Sequence, residues 1–197
     1  MHNLITKLTI PVCIGITLFS ISCKKDSPTP TPAATTSVDT ICDGIPGNSK
    51  YFPLAIGNKW KYGRTYSVPG NDDYIEEITG DTVYEGQTYF IAHVTDAAFG
   101  QNIDYEKLYR EDSNGDVYER RWGQPENLIV PANPVVGQNV WSDYEVVDIN
   151  ASITTGECTY TGCLKIMEPS FLQVYFYYKP GVGMVESSDN TLEEVWL

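Results

Sequence analysis

From residue 51 onward, apolar and polar residues alternate with a period of two. In KWKYGRTYSV (residues 59–68), Trp60, Tyr62, Tyr66 and Val68 fall on one face together with Arg64, and Lys59, Lys61, Thr65 and Ser67 fall on the other. Successive side chains of a strand point to opposite faces, so this spacing predicts a half-buried antiparallel strand. In FLQVYFYYKPG (171–181), Leu172, Val174, Phe176 and Tyr178 share one face and Phe171, Gln173, Tyr175 and Tyr177 the other. Apolar bulk on both sides predicts a strand partly covered on both faces.

Turn signals recur at strand-length intervals. TVYEGQTYFIAHV (82–94) predicts a hairpin with Glu85-Gly86 at the turn, because glycine reaches positive φ without a steric cost. KLYREDSNGDVYERR (107–121) predicts a second, with Ser113-Asn114-Gly115 at its tip, and ECTYTGCLKIME (157–168) a third. ENLIVPANPVVGQNVWSD (126–143) reads as a loop between short extended pieces, because Pro131 and Pro134 cannot donate to a ladder. No window of eleven or more residues carries a helical period. The expected fold is all-β: an antiparallel meander of about ten strands, curled into a half-barrel or barrel-like shape, with a β-sandwich as the alternative.

The front of the chain is different. Lys7 precedes an apolar stretch over residues 8–21, too short to span a bilayer comfortably and laid out like a secretory signal. Cys23 follows Ser20-Ile21-Ser22, and then comes SPTPTPAATTSVDT (27–40), whose prolines and lack of apolar bulk favour an extended, disordered spacer. The expected organisation is a signal segment over 1–22, a Pro/Thr-rich tether over 23–47 and a single β domain over 48–197.

At Ser22-Cys23 the chain resembles a bacterial lipoprotein, although Ser20 stands where such signals usually carry Leu. The resemblance implies that the signal is cut before Cys23, that the Cys23 thiol takes a diacylglycerol and that its freed amine is acylated. Several acyl chains make a stable membrane anchor, where one is marginal. Lys24-Lys25-Asp26 is similar to the residues that follow the lipidated cysteine in some surface-exposed Gram-negative lipoproteins. Outer-membrane attachment facing the cell surface is therefore favoured over the periplasmic face. Further along, Pro53-Leu54-x-x-Gly57-x-x-Trp60 and Gly181-Val182-Gly183-x-Val185 resemble the opening and closing motifs of a group of Gram-negative secreted β-rich lipoproteins without a characterised function. That resemblance implies turn roles for Gly57 and Gly137, core roles for Trp60 and Trp141, and a tight bend at Gly181 and Gly183.

Charge narrows the functional classes. The chain holds 13 Lys and Arg against 26 Asp and Glu, a net charge of −13, and this argues against nucleic acid as a partner. Fourteen tyrosines suit strands, where a ring packs on the pleat and its hydroxyl reaches water. Cys13 leaves with the signal and Cys23 takes lipid, so Cys42, Cys158 and Cys163 remain as disulfide candidates in an oxidising compartment. Cys158 can pair with Cys163 across the third hairpin, or Cys42 with either of them. A Cys-x4-Cys pair without histidine makes a poor zinc site, and no metal is expected.

Candidates for catalysis are few. His93 is the one histidine beyond the signal segment, and it sits mid-strand among apolar neighbours. No Gly-x-Ser-x-Gly elbow, P-loop or dinucleotide fingerprint occurs. Glu76, Glu77, Asp104 and Glu106 could supply a glycosidase-like pair, but nothing in their spacing selects one. EDSNGD (111–116) gathers oxygens as calcium loops do, yet lacks the distal bidentate Glu and reads as a hairpin tip. The expectation is a non-catalytic, cofactor-free binding or structural module with a hydrophobic or glycan ligand in a concave face. The alternatives are an accessory subunit of a surface complex and an envelope hydrolase. No feature sets an oligomeric state.

Overall fold

The computed structural model describes Cys42 and residues 48–64, 73–98, 101–156, 158–169 and 174–197. The expected signal segment, Cys23 and all of the tether except Cys42 lie outside the described residues, as do Tyr66, Val68 and residues 171–173.

Among the described residues, eleven strands form one antiparallel sheet. They are β1 (Lys59–Arg64), β2 (Asp73–Tyr84), β3 (Gln87–Ala98), β4 (Gln101–Glu111), β5 (Val117–Arg120), β6 (Asn127–Val130), β7 (Glu145–Thr155), β8 (Cys158–Met167), β9 (Tyr175–Lys179), β10 (Gly183–Ser187) and β11 (Asn190–Trp196). The order across the sheet is β6-β5-β4-β3-β2-β1-β11-β10-β9-β8-β7. No helix occurs among the described residues. The sheet curls without closing, so the half-barrel meander is found and the sandwich alternative is not.

Local sequence explains the turns. Glu85 and Gly86 have φ of 51° and 78°, and Tyr84 pairs with Gln87. A two-residue turn with both φ positive matches the right-handed twist of its strands. At the β4–β5 tip, Asp112 Oδ1 accepts the main-chain N–H groups of Asn114 and Asp116 at 2.8 and 3.0 Å. One expected hairpin is corrected. ECTYTGCLKIME does not fold back on itself, because β8 runs unbroken from Cys158 to Met167 and the reversal comes before it, where Thr155 pairs with Cys158.

That correction decides the cysteines. Five steps along one strand set Cys158 and Cys163 about 16 Å apart, far beyond disulfide reach. Cys158 is joined to Cys42 instead, with a Cα–Cα distance of 5.2 Å, and Cys163 keeps a buried thiol.

Both edges discourage further pairing. β6 has four residues and runs into Pro131, and β7 loses register with β8 at three places. Short and irregular edges are poor templates for another strand.

Most of the core lies on one face of the sheet. At β9 the neighbouring Tyr177 and Tyr178 are both buried, so that strand is covered on both faces as its sequence predicts. On the main face of the core, Trp60 and Tyr62 from β1, Ile78 from β2, Val94 from β3 and Val185 from β10 are buried, as period-two alternation requires. The two sequence motifs meet in it: Trp60 Nε1 donates to the Val182 carbonyl at 2.6 Å. Trp60 also stacks on Phe52, with ring centroids 5.2 Å apart.

Candidate functional site

A cavity of about 170 Å³ opens on the core face. Tyr109 of β4 and Ile129 of β6 line it from one half of the sheet, and Ile166 of β8, Phe176 and Tyr178 of β9 from the other. Side chains from opposite halves can meet only on the inside of the curl. Phe52 bridges them, 5.1 Å from the Tyr109 ring and 6.4 Å from the Tyr178 ring.

The connection from β6 to β7 adds Val140, Trp141 and Tyr144 to the wall. Trp141 was expected in the core. It is 39% exposed and stacks on Tyr144 with centroids 5.2 Å apart, so Gly137 leads into a loop aromatic at the cavity and not into a core strand.

A charged network is set into these apolar walls. Tyr74 and Glu76 are alternate residues of β2, and Lys107 and Tyr109 alternate residues of β4, so each pair faces the cavity side. Between them β3 places Ala92 opposite Lys107 and Val94 opposite Glu76, and these small side chains leave room for the lysine to cross. Lys107 Nζ lies 3.3 Å from Glu76 Oε2 and 3.5 Å from Glu119 Oε2. Tyr74 Oη donates to Glu76 Oε2 at 2.9 Å. Lys107 Nζ donates to Tyr109 Oη at 3.2 Å, and Tyr109 Oη in turn donates to Glu119 Oε2 at 3.2 Å.

Burial shapes the titration of these groups. Tyr62, Tyr74 and Tyr109 are held well above the usual phenol range, first by desolvation and then by nearby carboxylates. Burial pulls the Lys107 ammonium down, but Glu76, Tyr109 and Glu119 around it outweigh that and hold it well above its ordinary range. Glu76 is 5% exposed, and its second oxygen, Oε1, is enclosed with no hydrogen-bond partner. Asn190 Oδ1 is likewise enclosed and unpartnered, and Asn190 also lines the cavity.

Of the carboxylates singled out in the sequence, Glu76 enters this cavity. Glu77 is paired with Lys59 at the surface, and Asp104 and Glu106 are exposed. His93 is exposed too, 4.0 Å from Asp104 and outside the cavity. Lys107 and Glu119 escaped the sequence reading. The available signal was a charged residue at the inward position of an alternating strand, as in Tyr105-Glu106-Lys107-Leu108-Tyr109.

No family model matches the chain, and no curated protein is similar to it in sequence. Its fold is shared with solved structures. A Bacteroides fragilis protein assigned as exported, with a YmcC-like fold, superposes with a TM-score of 0.52 at 14% identity, over 76% of this chain and 100% of its own. A Parabacteroides distasonis protein assigned as a lipoprotein gives 0.50 at 17% identity, over 75% of this chain and 99% of its own. At these identities the likeness defines the class of fold and no more.

Proposed function

We propose that the protein is a lipid-anchored envelope protein that holds a small, largely apolar molecule inside the curl of its sheet without transforming it. The cavity carries this reading: apolar and aromatic side chains from both halves of the sheet surround about 170 Å³ that they leave unfilled. Concave, mostly apolar sites with a few placed polar groups are the usual form of small-molecule sites. The carboxylates at its wall are engaged by Lys107 and tyrosines, an arrangement suited to holding an occupant.

Anchoring rests on Ser22-Cys23 and on the exported and lipoprotein assignments of the two structural neighbours. Acyl chains on Cys23 would tie the domain to the outer membrane of a Gram-negative bacterium, and Lys24-Lys25-Asp26 favours the outward face. Mass spectrometry of small molecules released from the purified protein tests the ligand reading. A recurring apolar species lost on narrowing the cavity by Val140→Trp supports it, and a chain that never carries one speaks against it. Membrane fractionation of Cys23→Ser tests the anchor; a variant that stays in the membrane refutes it.

A second reading, docking of another chain, is favoured by the exposure of Val135, Val136 and Trp141 on the β6–β7 connection. Co-purification of a stoichiometric partner that is lost with Val135→Ser and Val136→Ser supports it.

A further inference from the structure

The cavity's polar groups are not balanced. Its lining holds two carboxylates, Glu76 and Glu119, against one ammonium, Lys107. Its unsatisfied atoms, Glu76 Oε1 and Asn190 Oδ1, are both acceptors. A buried polar atom without a partner keeps the cost of losing water, more so when charged, so such atoms signal a missing group. Glu76 carries the argument, since both oxygens of a carboxylate can only accept. Its Oε2 already takes Tyr74 Oη and Lys107 Nζ, so Oε1 is the oxygen left for a further donor; it is sealed from solvent in this structure, and the side chain must turn toward the cavity to meet one.

We propose that the cavity selects an apolar amine, with its ammonium group at Glu76 and its apolar body among Phe52, Tyr62, Tyr109, Phe176 and Tyr178. The inference rests on the ligand-holding reading of the same cavity and adds the head group. A hydroxyl would supply the hydrogen bond but leave the excess carboxylate charge. An ammonium supplies both, and tyrosine faces favour a cation: Lys107 Nζ already lies 5.5 Å from the Tyr74 ring centre and 5.8 Å from that of Tyr109. An anionic head would meet Glu76 and Glu119 and be repelled.

The test compares three probes with one tail and different heads: octylamine, octan-1-ol and octanoate. Each is titrated by calorimetry at neutral pH into the full chain carrying Cys23→Ser, so that no attached acyl group competes. Octylamine should bind tighter than octanoate by roughly tenfold or more, with octan-1-ol between them. Glu76→Gln keeps the side chain's shape and an acceptor oxygen but removes the charge. It should abolish the amine's advantage and leave octan-1-ol within about twofold, a shift below the size of one hydrogen bond.

Equal binding of the three heads, or an amine preference that survives Glu76→Gln in a folded variant, overturns the head-group inference and leaves the apolar-ligand reading standing. Failure of all three to bind overturns both. Circular dichroism checks the variant's fold, and if it does not fold, the wild-type ranking of the heads alone decides.

Discussion

Trp60 and Val182 lie 122 residues apart and are joined by a 2.6 Å hydrogen bond from the indole N–H to the main-chain carbonyl. The next residue, Gly183, has φ of 111°, and a Cβ there would stand 2.8 Å from Trp60 Nε1. Gly183→Ala therefore combines an unfavourable backbone region with a clash against a fully buried ring. We expect a loss of about 3 kcal/mol, read as a lower urea midpoint with an unchanged slope. A stability within about 0.5 kcal/mol of wild type, the size of an ordinary surface substitution, would show that this contact is not tight.

The Cys42–Cys158 bond closes a loop with a sequence separation of 116. Cross-links across long loops restrict the unfolded chain most, so Cys42→Ser should cost about 2–5 kcal/mol. Chemical denaturation of the variant beside the oxidised wild type measures it.

Cys163 is buried, and its thiol is pushed up to about 11, first by burial and against the pull of Lys179. A thiol that is neither exposed nor ionised alkylates slowly. Peptide mapping after iodoacetamide at pH 8 should find Cys163 unmodified in the folded protein and modified in denaturant. Rapid labelling of the native chain contradicts this placement.

Alkaline pH should destabilise the fold through its tyrosines. Tyr62, Tyr74 and Tyr109 titrate above their ordinary value of 10.0 when folded, because burial disfavours the phenolate. A folded state that keeps a proton the unfolded state releases is favoured in full below the unfolded value. That advantage fades as pH rises through the folded values. The urea midpoint should stay level up to pH near 10 and fall beyond it, and absorbance at 295 nm should show these phenols ionising only as the protein unfolds.

Acid acts through Glu126. Its carboxyl is held below the ordinary value of 4.5, first by hydrogen bonds from Arg110, which lie at 2.9 and 2.7 Å, and also by Tyr89. A depressed folded value means that this contribution is complete above 4.5 and is lost as pH falls through the folded value. Glu126→Gln should flatten that part of the acid limb and cost about 1 kcal/mol at neutral pH. Stability measured against pH for both forms decides.

Alternation along the chain made the fold legible. Trp60 and Tyr62 alternate with Lys59 and Lys61, and Glu85-Gly86 marks a turn by residue type alone. Local rules of that kind do not reach the site. Lys107 and Glu76 look like two of many surface charges until β3 sets them side by side, and Tyr109 and Tyr178 share a cavity only because the sheet curls. The cysteine pairing stayed open in the sequence, between Cys158–Cys163 and a bond from Cys42, for a related reason. A spacing of five suggests a hairpin, but Gly162 at φ of 66° is taken up within β8 and does not reverse the chain, so the partner had to come from far away.

The order of strands has a kinetic side. β1 to β6 are linked by near-neighbour pairings, and so are β7 to β11, yet among the described residues the two runs share one strand pairing, where residues 59–64 lie against residues 190–196. Each half can gather from local hairpins as it emerges, but the seam needs the last strand, whose partner was made more than a hundred residues earlier. Until Asn190–Trp196 arrives, β1 offers an unsatisfied edge in the middle of the future sheet. The final strand thus acts as a fastener, and the time before it closes is when the chain is most open to the wrong neighbour.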